Sequence, residues 1–296
     1  MADVNTAPRS QVAASPAGRS QLRQPRWQTI GGYLLMFVGV AAIGLPVYWM
    51  IAAAFKTTPE IYRVPVTWIP RDPVLSNFAR AWNAAPFGRY YINTIITTVF
   101  GSGAELFFAI TSAYAFAFLR FPRKEWVFLA LLAALMIPNQ VTLLPNYLTV
   151  ARLGWINTYQ GIIVPGAAVA YGTFMLRQYF QTLPRELLDA AKVDGAGYLR
   201  TLWHIVLPLA QPAVITFGLI SVVAKWNDFA WPLVVTNTQD MRVLPIGIYW
   251  LLDQEGNTQW GTVMAGTIFV VLPVLLIFFW AQRYIVEGMT AGAVKG

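Results

Sequence analysis

Few side chains in this chain could do chemistry, and most of them stand inside apolar sequence. Glu105 lies near the middle of an otherwise uncharged run from about Tyr90 to Leu119. A carboxylate placed so deep is either a proton or cation site or a buried, hydrogen-bonded residue facing another helix. Gly101, Ser102, Gly103 and Ala104 precede it, which suits close helix packing. Asn139, Gln140 and Asn146 stand between and beside Pro138 and Pro145. Prolines free backbone carbonyls, and carbonyls with nearby amides can line a polar cavity; the alternative is a kink satisfied by neighbouring helices. Lys225, Trp226 and Asn227 close another apolar run, as ligand contacts or as ordinary interface anchors. The single histidine, His204, is a polar-face residue with no partners for a metal site, and there is no cysteine. No phosphate-binding glycine loop, zinc spacing, nucleophile elbow or dinucleotide turn is present. The chain therefore has no nucleotide site or catalytic constellation of its own.

These residues need apolar elements to hold them. At 57% hydrophobic and 11% charged residues, with a mean hydropathy of +0.52, the chain is membrane-embedded. Six runs are long enough to cross about 30 Å of hydrocarbon. They cover about Ile30–Phe55, Tyr90–Leu119, Trp126–Val150, Tyr159–Tyr179, Leu207–Trp226 and Gly261–Gln282. The fold expected is thus all-α and polytopic, with six transmembrane helices. Residues 1–28, rich in Ala, Ser, Pro, Gln and Arg, read as a disordered tail, and 29–296 as one membrane domain. The tail is not a signal peptide, since the apolar run after it is too long and no cleavage site follows. A proline-rich stretch follows the first run, with little regular helix expected. A second polar stretch, Asn227 to Trp260, has an amphipathic LPIGIYWLL segment that lies on the surface or re-enters.

The net charge of +8 comes from lysine and arginine flanking these runs, not from a nucleic-acid surface. Thirteen of the 21 basic residues fall on the side of the N-terminus, the turn near residue 120, the 180–206 loop and the C-terminus. Short loops weigh most in orientation, so that side is cytoplasmic.

The longest polar interruption in the second half is PRELLDAAKVDGAGYLRTLWHIVLPLAQP, Pro184 to Pro212. It reads as two short amphipathic helices. Leu187, Leu188 and Ala191 share the apolar face of the first, and Gly195 and Gly197 end it. Leu199, Leu202, Trp203 and Val206 form the apolar side of the second, and Pro208 opens the next membrane run. On physical grounds this is an interfacial connector or an element shaped to dock in another protein. The string D-A-A-x-x-D-G-A followed by I-V-L-P resembles the EAA loop of binding-protein-dependent ABC importer permeases. The matching positions are Asp189, Ala190, Ala191, Asp194, Gly195, Ala196, Ile205, Leu207 and Pro208, with Asp189 standing where glutamate is usual. The resemblance extends from about Tyr33 to the C-terminus and is to the sugar-type group. WNDFAWPL (Trp226 to Leu233) and GNTQWGTVMAG (Gly256 to Gly266) look like permeases for glycerol 3-phosphate and glycerophosphodiesters.

The resemblance implies a type I importer permease in the bacterial plasma membrane, with both termini cytoplasmic. It implies a second permease subunit, two copies of an ATPase subunit that carries ATP and Mg, an extracytoplasmic binding protein and lipid as partners, and no nucleic acid. Glu186, Asp189, Ala190, Ala191, Asp194, Gly195, Ala196, Leu207 and Pro208 would then contact the ATPase. Asn139, Gln140, Asn146, Lys225, Trp226 and Asn227 would line the substrate path, where a phosphorylated ligand prefers cationic or N–H-rich surroundings. The competing expectation is a self-sufficient secondary transporter that uses Glu105 as its ion or proton site.

Overall fold

The computed structural model describes residues 26–252 and 258–291. The first helix begins at Arg26, so the last three residues of the expected tail are helical; the rest of that tail and the final five residues lie outside the described residues. Among the described residues every regular element is a helix. The chain divides into two compact units, Met1–Tyr48 and Trp49–Gly296.

Helix α1 (Arg26–Ala54) crosses that division. Within the first unit its side chains from Ile30 to Val47, among them Leu35, Phe37 and Ile43, are exposed and uncharged. A helix apolar on every side belongs in hydrocarbon.

The second unit is built around α4 (Phe87–Phe118), at 32 residues about 48 Å long. Two short helices, α2 (Thr58–Ile61) and α3 (Ser76–Ala84), precede it, and a broken pair, α5 (Lys124–Ala134) with α6 (Asn139–Arg152), follows it. Next come α7 (Tyr159–Ile163), α8 (Ala170–Phe180), α9 (Arg185–Val193), α10 (Tyr198–Thr201), α11 (Leu207–Leu209) and α12 (Gln211–Trp226). Helices α13 (Ala230–Val235), α14 (Leu244–Tyr249) and α15 (Trp260–Ala291) complete the unit.

Among the described residues, three helices are long and apolar enough to span unbroken, within Ile30–Ala54, Phe87–Phe118 and Trp260–Gln282. The other three expected spans are bent pairs, so six spans result only when each pair counts as one. The third was expected as one run, Trp126–Val150, but α5 and α6 meet at 97°. Pro138 causes the break: it removes an N–H and excludes its predecessor from the helical region, and the chain restarts at Asn139. The fourth bends by 45° between Gly166 and Ala170, past Pro165. The fifth was expected from Leu207, but Leu207 and Pro208 belong to an arm, Tyr198–Leu209, that meets α12 at 85°. A π turn over Leu202–Val206 precedes Pro208, which cannot donate to the carbonyl four residues back. The membrane helix proper starts after Ala210, with Pro212 in its first turn.

Among the described residues, two larger apolar cores lie at opposite ends of α4, and a smaller one joins Val150, Ile162 and Val235. Of the larger two, one packs Phe87 and Tyr90 with Trp226, Leu244 and Val263. The other packs Ala109, Ala113 and Tyr114 with Leu176, Phe180, Leu188, Leu202, Val206 and Phe217. The expectation of little helix after α1 is met between residues 62 and 75. There side chains replace the missing ladder bonds: Asn77 Nδ2 donates to the carbonyls of Ala54 and Lys56, both at 2.8 Å. Lys56 is fully buried, donating to the Thr67 carbonyl with its ammonium over the Trp49 ring.

Candidate functional site: a polar cavity and an exposed loop

Beside the first of these cores, a cavity of about 730 Å3 opens between α4, α6, the bend of the fourth span and the end of α12. The turn of α6 decides which amides reach it. Asn139, Thr142, Leu143 and Asn146 all line the cavity, as spacings of three, four and seven place residues on one helix face. Gln140 is one residue on, about 100° around the helix, and is not part of the wall.

The end of α12 sorts its residues in the same way. Lys225 faces the cavity, while Trp226 and Asn227 turn elsewhere. Trp226 is buried and its indole N–H donates to the Val270 carbonyl of α15 at 2.9 Å. Asn227 is exposed, and its amide donates to the Val223 carbonyl at the helix end. Of the six residues expected along the path, Asn139, Asn146 and Lys225 are brought together. Gln140, Trp226 and Asn227 are not, because neighbours in a helical sequence point in different directions.

Lys225 is placed by two small residues. Its stem crosses Gly101 of α4, where an added Cβ would stand 3.6 Å from Cδ. Its ammonium donates to the Gly166 carbonyl at 2.9 Å, in the break of the fourth span. It also faces Glu105, at 3.6 Å from Oε2. Glu105 is 6% exposed and accepts a 2.7 Å hydrogen bond from Ser221, one turn before Lys225 on α12. Of the two readings of Glu105, the geometry is that of a buried, paired carboxylate facing another helix. Its Oε2 accepts from the Ser221 hydroxyl and faces the Lys225 ammonium, both on α12, the surroundings of a paired carboxylate.

Sequence reasoning did not assign Thr97, Thr142, Tyr171, Asp228 or Trp231 to the wall, and all five line it. Thr97 was available from the pattern, being one turn before Gly101 and two before Glu105 on one face of α4. Asp228 follows α12 in the turn to α13, where burial pushes its carboxyl up from the usual range against the Trp231 backbone N–H and the Lys225 charge. Among the described residues no group of three acids or histidines could hold a metal.

The exposed loop lies at the other end of α4. Tyr114, in the second core, is 17 residues beyond Thr97, or about 25 Å along the helix. On α9, Leu188 is buried in that core, and Ala191, on the same face, is buried as well. Leu187, expected with them, is 43% exposed, so the buried stripe is narrow. Glu186, Asp189, Ala190 and Asp194 face outward; Asp189 pairs with Lys192 at 2.7 Å, and that hydrogen bond lowers its carboxyl pKa.

The helix ends in a specific turn. Gly195 has φ +74°, the Ala196 N–H donates to the Ala191 carbonyl at 2.9 Å, and the Gly195 N–H to Lys192 at 3.0 Å. This is a Schellman cap with glycine in the left-handed position. Gly197, expected to share that role, has φ −69° and instead begins α10. In the second helix Leu202 and Val206 are buried, whereas Leu199 and Trp203 are 70% and 53% exposed. With Val193 and Tyr198 they give the loop an apolar outer surface. Pro208 is exposed and Leu207 partly so, both on this arm.

Comparisons with known proteins identify the family. Residues 25–291 match the family model described as binding-protein-dependent transport system inner membrane component. A sn-glycerol-3-phosphate transport system permease protein of Yersinia enterocolitica is 33% identical over 264 residues, 87% of this chain and 94% of its own. Proteins of the same description from Pectobacterium atrosepticum and Brucella abortus are 32% and 31% identical over similar spans. The fold is shared with a chain of a bacterial ABC transporter involved in the import of the acidic polysaccharide alginate. That likeness has a TM-score of 0.78 at 23% identity, over 88% of this chain and 98% of the other. The chain thus belongs to the inner membrane components of binding-protein-dependent transport systems, the permease subunits of ABC importers.

Proposed function

We propose that this chain forms half of the import path for glycerol 3-phosphate or a glycerophosphodiester. The observation that carries the reading is the likeness to glycerol-3-phosphate permeases along almost the whole chain, 94% of the relative's length. A family member of this kind works with a partner permease, an ATPase and a binding protein. In the reading advanced here there are two ATPase copies, which hold ATP and Mg. Their closure moves the loop through Glu186, Asp189, Ala190, Ala191, Asp194, Gly195, Ala196, Leu207 and Pro208. The loop and both termini are cytoplasmic, as the distribution of basic residues favours. The cavity wall of Asn139, Asn146 and Lys225 faces the substrate, residues 29–296 act as one membrane domain, and lipid covers the apolar side chains of α1.

Two features support the division of labour. The exposed apolar surface of the loop is anchored to α4 through Leu188 and Tyr114, and the cavity is anchored to the same helix through Thr97 and Gly101. A rigid helix can carry displacement from one to the other, and ATP shifts the equilibrium by binding the two states unequally.

The test is ATPase stimulation of the complete complex in lipid nanodiscs, with its binding protein and a panel of ligands. Glycerol 3-phosphate or a glycerophosphodiester should stimulate hydrolysis severalfold, and a neutral disaccharide should not. Stimulation by the disaccharide alone would overturn the substrate.

A further inference from the structure

The cavity has one cation, Lys225, and the obvious assignment would give it a ligand's phosphate. The geometry argues otherwise. An ammonium has three N–H donors. One donor of Lys225 meets the Gly166 carbonyl at 2.9 Å, and Glu105 Oε2 stands 3.6 Å from Nζ as its counter-charge. Glu105 is itself fixed by Ser221, so the countercharge does not swing away. Asp228 then adds a second carboxylate on the wall. The cation is already paired with the Glu105 carboxylate, and a second carboxyl stands on the same wall, so this side of the cavity has no unpaired positive charge to offer a phosphate. Its remaining polar side chains, Thr97, Asn139, Thr142 and Asn146, are neutral, and Trp231 and Tyr171 supply aromatic surface. Amides, a carboxyl and aromatic faces are the chemistry that binds hydroxyl-bearing carbon chains.

We propose that this chain's wall binds the uncharged, hydroxyl-bearing part of the ligand, with Asp228 as the hydroxyl partner. The Glu105–Lys225 pair keeps the phosphate off this wall and turns it toward the rest of the path. The identity of the ligand rests on the function proposed above; the charge assignment does not. A carboxyl can bond a hydroxyl in either protonation state, so the raised pKa of Asp228 leaves the role intact.

The experiment compares half-saturating concentrations for ATPase stimulation by glycerol 3-phosphate and by a glycerophosphodiester, which carries less charge. It uses the complete complex with wild-type chain, Asp228→Asn and Glu105→Gln, each checked for assembly by size exclusion. Asp228→Asn should raise both concentrations about fivefold, having lost an acceptor for the shared glycerol hydroxyls. Glu105→Gln frees Lys225 and should shift the ratio toward glycerol 3-phosphate by about fivefold. Tighter response to glycerol 3-phosphate in Asp228→Asn, or an unmoved ratio in Glu105→Gln, would overturn the assignment; each variant decides by itself should the other fail to assemble. A wild-type complex answering only to a neutral carbohydrate would sink the glycerol-phosphate reading and support the charge assignment.

Discussion

Gly195→Val is expected to cut coupled uptake about tenfold or more while leaving the permease folded. Gly195 sits at φ +74°, a conformation in which a β-branched residue costs about 1–3 kcal/mol. No heavy atom lies within 4 Å of an added Cβ, so the penalty is conformational and not a clash. The chain can relieve it by opening the cap, which breaks the bonds from Ala196 to Ala191 and from Gly195 to Lys192. The next helix, with Tyr198, Leu199 and Trp203 on its exposed surface, then leaves α9 in another direction. Uptake should fall about tenfold or more, since each 1.4 kcal/mol of lost docking is tenfold. The melting temperature of the purified permease should change by only a few degrees, about 2–4 °C per kcal/mol in a chain of this size. Gly195→Asn should retain most activity, because asparagine tolerates the left-handed region. Gly197→Ala, at an ordinary φ with open space around it, should be silent. Normal uptake in Gly195→Val, checked by ligand accumulation in proteoliposomes, would mean that this turn does not orient the loop.

Gly172→Val is expected to prevent the permease from assembling at all. Gly172 is on α8 where it meets α4 and α12, the most extensive packing in the second unit. An added Cβ would lie 2.7 Å from Phe217 Cε1 and 2.8 Å from Ala109 Cβ, closer than real carbons approach. Phe217 is 1% exposed and Ala109 equally so, which leaves no space for retreat. Overpacking such a core costs typically about 1–3 kcal/mol and occasionally more, and valine brings three carbons to a site with no room for the first. The monodisperse fraction on size exclusion should drop to near background. Gly172→Ala should be intermediate, and Gly172→Ala with Phe217→Leu should recover part of the loss, a coupling visible only between touching residues. Full stability of Gly172→Val would show that α8 does not pack on α12 at this point.

Much of this was legible in the sequence because hydrocarbon imposes simple rules. A helix is the only spanning element for a chain of this kind, so length and hydropathy gave six runs. The cap at Gly195 was legible from glycine chemistry alone. The breaks were less so: Pro138 and Pro165 marked where helices would stop, but a bend of 97° depends on what the two halves pack against. The amides show the same limit. Asn139, Gln140 and Asn146 cluster in sequence, yet only two share a face. The Glu105–Lys225 pair could not be read at all, because the partners are 120 positions apart and only the packing of α4 on α12 joins them. Leu199, Leu202, Trp203 and Val206 share one apolar side in the pattern, but which of them are covered depends on what packs there: Leu202 and Val206 are buried, and Leu199 and Trp203 are left exposed.

The most direct measurement is co-purification. The tagged chain, expressed with its chromosomal neighbours and extracted in mild detergent, should bring down an ATPase subunit and a second permease. Replacing Asp189–Gly195 with a scrambled sequence should release the ATPase and keep the second permease. A folded, monodisperse chain that binds no ATPase, or one whose ATPase stays bound through the scramble, would contradict the account.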